Sequence, residues 1–358
     1  MVAFMIAACA AIAADDAAPL KIVTAGQPIW SAGSVSNEPL LFVQEEGQPA
    51  ATARLFYTPS GGLKITSPDL VKTFVEGKDY VWKAGSDVVE LTAASAIPFK
   101  TRAQMSPPKG SPNTFRGIVL FSEGHFFHDL QVQASYATAE KWAGAVPAEA
   151  PDKLRGVVAK LKAQQPVKIV TLGDSITEGY NASGLTKINV APHQPPYPQL
   201  IGTTLQERFG GKVTVANLGK GGKRAQWGMS MIEKVNAEKP DLVILAFGMN
   251  HSEPADKFGE TMRVLLDAVK AGNPGADVVL VASMCSNPLL GSSARFEEYR
   301  DVQRKLEGPG VAVADVTTVW MELMKKKRFS DLSGNNVNHP NDFSHRLYAH
   351  VVLQLFGK

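Results

Sequence analysis

The sequence predicts an α/β protein: a three-layer α/β/α unit on a parallel sheet, preceded by an all-β, sandwich-like domain. Three observations predict it. From residue 167 onward, apolar runs alternate with helix-length segments. Before residue 145 the signals are short, β-like and separated by Gly, Pro, Asp and Ser clusters. Between the two regimes, residues 144–152 (GAVPAEAPD) read as a linker. Strands that are apolar throughout are what a parallel sheet covered on both faces requires, whereas short, turn-bounded strands fit a small sandwich.

Taken in order, strands are expected at 71–75, 80–82, 88–92, 117–121 and 130–136, with a loop at 107–113 (PPKGSPN). Between the last two strands lies Gly124-His125-Phe126-Phe127-His128-Asp129. Two histidines three apart beside an aspartate suit a metal, but no further ligand accompanies them. The other reading is a loop leaning towards the second domain's site. Helices are then expected near 152–164, 197–209, 229–238, 255–271, 294–307 and 344–356. The strands 167–172, 213–217, 241–247, 277–282 and 311–315 are interleaved with them. The resulting division is a leader at 1–14, an N-terminal domain at 20–145, a linker with its leading helix at 146–166, and a second domain at 167–358.

A length of 358 residues, 44% apolar and 20% charged content fit a globular chain, and a net charge of +3 argues against a nucleic-acid partner. The dense basic run Lys325-Lys326-Lys327-Arg328 ends a predicted helix, where cations complement the dipole, and reads as a solvated face. The first residues, MVAFMIAACAAIAADD, resemble a secretory signal too short to span a membrane, so export to the periplasm or beyond is expected. Cys9 in Ile6-Ala7-Ala8-Cys9 also offers a lipoprotein anchor, the less favoured reading. The other cysteine, Cys285, ends an apolar run and reads as a small buried hydrophobe, so neither a disulfide framework nor a cysteine metal site is available.

The chemistry sits where strands end. The first apolar strand runs into Gly173-Asp174-Ser175, the second into Asn217-Leu218-Gly219-Lys220-Gly221-Gly222, and the third into Gly248-Met249-Asn250; Asn336-Val337-Asn338-His339-Pro340-Asn341-Asp342 follows the last. In an open α/β sheet these ends share one edge, which is where ligands bind. A serine hydroxyl needs an adjacent base to become a nucleophile, and a tetrahedral oxyanion needs preorganised donors. Read alone, Ser175 is equally a helix N-cap.

The blocks GDSIT, NLGKGG, GMN and HPND, in that order over residues 167–355, resemble those of the SGNH hydrolase superfamily (GDSL-like esterases). The resemblance implies Ser175 as nucleophile, His339 as general base and then acid, and an oxyanion hole of the Ser175 and Gly219 N–H groups with the Asn250 amide. It implies no cofactor. One position departs from the family pattern: where an aspartate is expected three residues before the histidine, this chain has Asn336. Orientation of His339 then falls to Asn336, to Asp331 or Asp342, or to a backbone carbonyl. The pair Asp342–His345 has the D-x-x-H spacing and is the alternative dyad. Asp174, Trp227 and His251 stand beside the blocks as candidate substrate contacts, and the Pro-rich insertion 181–198 is expected to shape the crevice. The two-domain arrangement is similar to that of esterases that deacetylate polysaccharides, so an acetylated carbohydrate is the expected partner. A lipid esterase and a non-catalytic carbohydrate-binding protein, the latter motivated by Asn336, are the alternatives.

Overall fold

A computed structural model describes residues 24–31 and 33–357; the signal-like leader and Cys9 lie outside the described residues. Five parallel strands form one sheet in the spatial order Val213–Asn217, Val167–Gly173, Leu242–Ala246, Asp277–Ala282, Val311–Asp315. Every residue of Leu242–Ala246 and Asp277–Ala282 is buried, which accounts for their unbroken apolar sequence. Alternate side chains serve opposite faces: Ile169, Ile244 and Val279 enter one core, while Val170, Val243 and Val278 enter the other. The helix Ala255–Gly272 seals the second face with Phe258, Met262, Leu265, Leu266 and Val269, spaced three and four apart. The first face is covered by Tyr197–Phe209, Val316–Leu323 and Asp342–Gln354. Strand order reverses between Val167–Gly173 and Leu242–Ala246, and the crevice at such a switch point is the expected binding edge.

Before this unit lies a strand-rich region with antiparallel sheets. Ser34–Leu40, Val132–Ala137 and Gly61–Thr66 form a three-stranded antiparallel sheet, and five short strands between Phe42 and Thr101 form a second, antiparallel except where Phe42–Gln44 runs parallel to Phe99–Thr101. A small hairpin pairs Thr114–Phe115 with Val119–Leu120. Two short helices, Arg102–Met105 and Phe126–Leu130, sit between strands of this region. The strand expected at 71–75 does not form. Val71 and Val75 are 81% and 55% exposed, and only an isolated bridge joins Thr73 to Thr66; a β-branched run without a surface to cover gains nothing from the pleat.

The two regions share one core cluster, in which Phe42, Leu55 and Tyr136 join Trp320, Leu347 and Val351. The basic run is part of this joint, contrary to the expectation of a solvated face. Lys327 is buried, with Nζ donating to Glu38 Oε1 at 2.6 Å, the Arg54 carbonyl at 2.6 Å and the Pro39 carbonyl at 3.1 Å. Arg328 donates to the carbonyls of Leu41 and Thr52, and Lys326 to that of Phe56. Lys325 remains solvated, pairing only with Glu322, whereas Lys327 and Arg328 satisfy backbone carbonyls at the joint.

Candidate active site

Ser175 stands two residues beyond the strand Val167–Gly173. Asp174 caps the short helix that follows, its Oδ1 accepting the Ile176 N–H at 3.0 Å. The turn is tight: a Cβ on Gly173 would collide with the Ala246 carbonyl and the Thr177 side chain, so only glycine fits. Asp174 is itself buried, and burial pushes its carboxyl up to about 7 against the backbone donors that lower it. It therefore supports the turn instead of facing substrate.

His339 lies in the loop between the helices Phe329–Leu332 and Asp342–Gln354, and its Nε2 is 2.9 Å from Ser175 Oγ. Its Nδ1 is 2.9 Å from Asn181 Oδ1, 3.0 Å from Asn335 Nδ2 and 3.3 Å from Glu123 Oε1. The Asn335 amide has two protons, and Glu123 Oε1 and Asn338 Oδ1 accept at 3.1 Å each. That leaves Nδ1 as the donor, to Asn181 and Glu123, and Nε2 free to accept the serine proton.

The donors for an oxyanion are arranged differently from the sequence expectation. The Gly219 N–H donates to Asn217 Oδ1 at 2.9 Å, and a Cβ there would press into the Thr177–Glu178 backbone. Gly219 is packed against the nucleophile turn, and its N–H is already spent. The crevice is lined instead by Gly221 and Gly222. The Gly221 N–H goes to Glu178 Oε2 at 2.6 Å, whereas that of Gly222 has no partner among the described residues. Gly222 has a φ of 72°, the left-handed region that glycine tolerates, and open space where a side chain would stand. The Ser175 N–H is also unpartnered among the described residues. Asn250 reaches the crevice with one amide proton engaged by the Lys223 carbonyl at 3.1 Å and one remaining.

Residues 171–347 match the GDSL-like Lipase/Acylhydrolase family. They belong to it. Among solved structures, this chain is similar to a two-domain esterase active on acetylated mannans, at 24% identity and a TM-score of 0.46 over 56% of this chain and 52% of that one. A second structure of a two-domain esterase active on acetylated mannans gives 23% and 0.47 over 58% and 53%. An acetyl xylan esterase from Geobacillus stearothermophilus gives 20% and 0.43 over 53% and 94%. The chain thus spans about half the length of the two-domain esterases it matches. No curated protein sequence matches it.

Around this GDSL-like site the remaining sequence expectations fall as follows. Asn336 does not touch His339: it sits at φ 61° with its amide donating to the Leu120 carbonyl, and Asn287 donates to it. Asp331 accepts the N–H groups of Leu41 and Arg328, and Asp342 accepts that of Ser183; both carboxylates are occupied away from the imidazole. Burial pushes the Asp342 carboxyl up. The alternative base His345 is fully buried, with Nδ1 towards the Tyr197 N–H at 3.4 Å and Nε2 3.0 Å from the Tyr180 carbonyl. Burial holds it down to about 4, a neutral structural imidazole. His251 is also internal, accepting the Ala225 N–H at 2.9 Å and paired with Glu253 at 2.5 Å. Trp227 packs on the core behind the sheet. Neither lines the crevice. The insertion 181–198 packs on the last helix through Ser183 and Gln194, and only Asn181 enters the site.

Of His125 and His128, the first pairs with Asp129 and the second meets the Ala191 carbonyl, so they diverge; no metal-holding group of three or more such side chains occurs among the described residues. Glu123, immediately before that segment, is the one to reach the site. Glu123, Gly222, Asn181 and Asn335 escaped the sequence reading; only Gly222, inside the NLGKGG block, carried a local signal.

Proposed function

We propose that this chain is a carboxylic ester hydrolase that removes acetyl groups from poly- or oligosaccharides through an acyl-enzyme on Ser175. The observation that carries the reading is the 2.9 Å contact of His339 Nε2 with Ser175 Oγ at the floor of an open crevice. The serine proton passes to Nε2 as Oγ attacks the ester carbonyl; Nε2 then returns it to the leaving alcohol oxygen, and water repeats the cycle on the acyl-enzyme. The unpartnered N–H groups of Ser175 and Gly222 and the remaining Asn250 amide proton, all carried by residues of the crevice lining, are the proposed donors to the oxyanion.

The walls support a short acyl group and a polar alcohol. Phe115, Phe121 and Tyr180 offer ring faces, Glu178, Lys220, Asn250 and Asn338 offer polar contacts, and Val337 is the only aliphatic side chain among the described residues of the lining. The cavity measures about 350 Å³ and opens broadly to solvent, with no aliphatic slot for a fatty chain.

Hydrolysis of p-nitrophenyl acetate is therefore expected to exceed that of the octanoate in kcat/KM, and acetate is expected to be released from acetylated mannan or xylan. A preference for the octanoate would favour the lipid reading instead. Replacement of Asn250 by alanine is expected to lower kcat about 10²–10³-fold with little change in KM. An unchanged kcat would remove the amide from the oxyanion site.

A further inference from the structure

We propose that Glu123, a residue of the N-terminal region, is the carboxylate that orients His339 and balances its charge, so that the acid of this hydrolase comes from outside the GDSL-like segment. The inference rests on the Ser175–His339 reading above. Glu123 Oε1 is 3.3 Å from His339 Nδ1, and among the described residues no other carboxylate lies within ion-pair distance of that imidazole. The Asn335 amide donates to the same oxygen and fixes it beside the ring. The local position has been given up: Asn336 turns its side chain to the Leu120 carbonyl, where an aspartate would set oxygen against oxygen.

The histidine loop is also held from the N-terminal side. Gln131 Nε2 donates to the carbonyls of Ser330 and Ser333, its Oε1 accepts from Asn341, and Asn181 binds the carbonyls of Gly124 and Gly334. Loop and carboxylate therefore belong to one assembly.

Chemically, Glu123 takes no proton. It accepts the Nδ1–H, holds the tautomer whose Nε2 is free, and neutralises the imidazolium that exists between the two proton transfers. Burial would push its carboxyl up, but the hydrogen bond and charge of His339 and the Asn335 amide outweigh it and hold it below the usual carboxylate range, so it is ionised where the base works. The other groups facing His339 are the Tyr180 ring at 5.0 Å, the buried His345, and Glu178 and Lys220 across the crevice. Asn181 shares the Nδ1 proton but brings no charge.

Glu123 is thus a positioning residue, and charge is what separates it from a structural one. With p-nitrophenyl acetate, Glu123→Gln is expected to lower kcat by roughly 10²-fold at near-constant KM, less than the loss of a lone orienting aspartate because Asn181 remains. Glu123→Asp, which keeps the charge, is expected to recover most of the kcat that the Gln variant loses. If the Gln variant does not fold, Glu123→Ala is used for the same comparison. A kcat of the Gln variant within twofold of wild type, or an Asp variant no faster than the Gln variant, overturns the proposal while leaving Ser175 and His339 in their roles. A wild-type protein inactive on every ester overturns the underlying reading instead.

Discussion

Alanine at position 175 is expected to lower kcat by about 10⁶-fold, the scale on which serine hydrolases lose turnover when the nucleophile is removed. What survives should be the roughly 10³–10⁴-fold advantage over water that oxyanion donors and binding retain without a nucleophile. The fold should be unaffected. Ser175 is the first residue of a short helix whose cap is Asp174, and its hydroxyl meets only His339; alanine suits a helix start as well as serine does. The measurement is a burst and steady-state assay on p-nitrophenyl acetate, with thermal unfolding of the same sample as the control. Turnover within tenfold of wild type, from protein shown to carry the substitution by mass, would remove Ser175 from the mechanism and with it the acyl-enzyme.

The second large effect is on stability. Lys327→Met removes a buried ammonium that satisfies one carboxylate and two carbonyls between the two regions of the chain. Glu38 keeps the Phe56 N–H at 2.9 Å and the Tyr136 hydroxyl at 2.5 Å, but its charge is then buried without an opposite. Breaking such a pair on one side costs about 3–5 kcal/mol, mostly the penalty of the charge left behind. The Lys327→Met, Glu38→Gln double variant should recover much of that loss, because the uncompensated charge is gone. Urea unfolding of the two single variants and the double variant reads the coupling directly. A loss below about 1 kcal/mol for Lys327→Met would mean that water reaches Glu38 and that the pair behaves as a surface contact.

The inner strands of the parallel sheet were legible because burial on both faces leaves an unbroken apolar record. The strands Val213–Asn217, Asp277–Ala282 and Val311–Asp315 and the helix Tyr197–Phe209 lie on their expected residues. The N-terminal strands were harder. Ser34–Leu40 hides its period behind a register shift between Val35 and Glu38, with Asn37 at φ 51°, while 71–75 looks like a strand and has nothing to cover.

At the site, Ser175 and His339 stood out because their blocks follow strand ends in order. Which glycine N–H remains available did not, because the Asn217 side chain folds back onto Gly219, and no spacing records that. Glu123 left no trace at all, since it reaches the histidine from a separate segment and only the tertiary packing brings it there. Lys327 misled for a related reason: a charge run looks the same whether it faces water or a row of buried carbonyls.

On the proposed function, the small hairpin Thr114–Phe115/Val119–Leu120 carries a constraint on how this chain can diversify. Phe115 at one end, and Phe121 just beyond the other, form part of the crevice wall, while the Leu120 carbonyl, one residue from Phe121, anchors the loop that bears His339. A change in this wall that reshapes what the crevice admits also moves the tether of the base. The proposed function would then couple substrate selection to turnover through this hairpin. The opposite wall, Lys220 to Gly222 with Glu178, holds Glu178 against the Gly221 N–H and leaves the histidine loop untouched. On that side a change spares the histidine loop but acts on the proposed oxyanion donor Gly222.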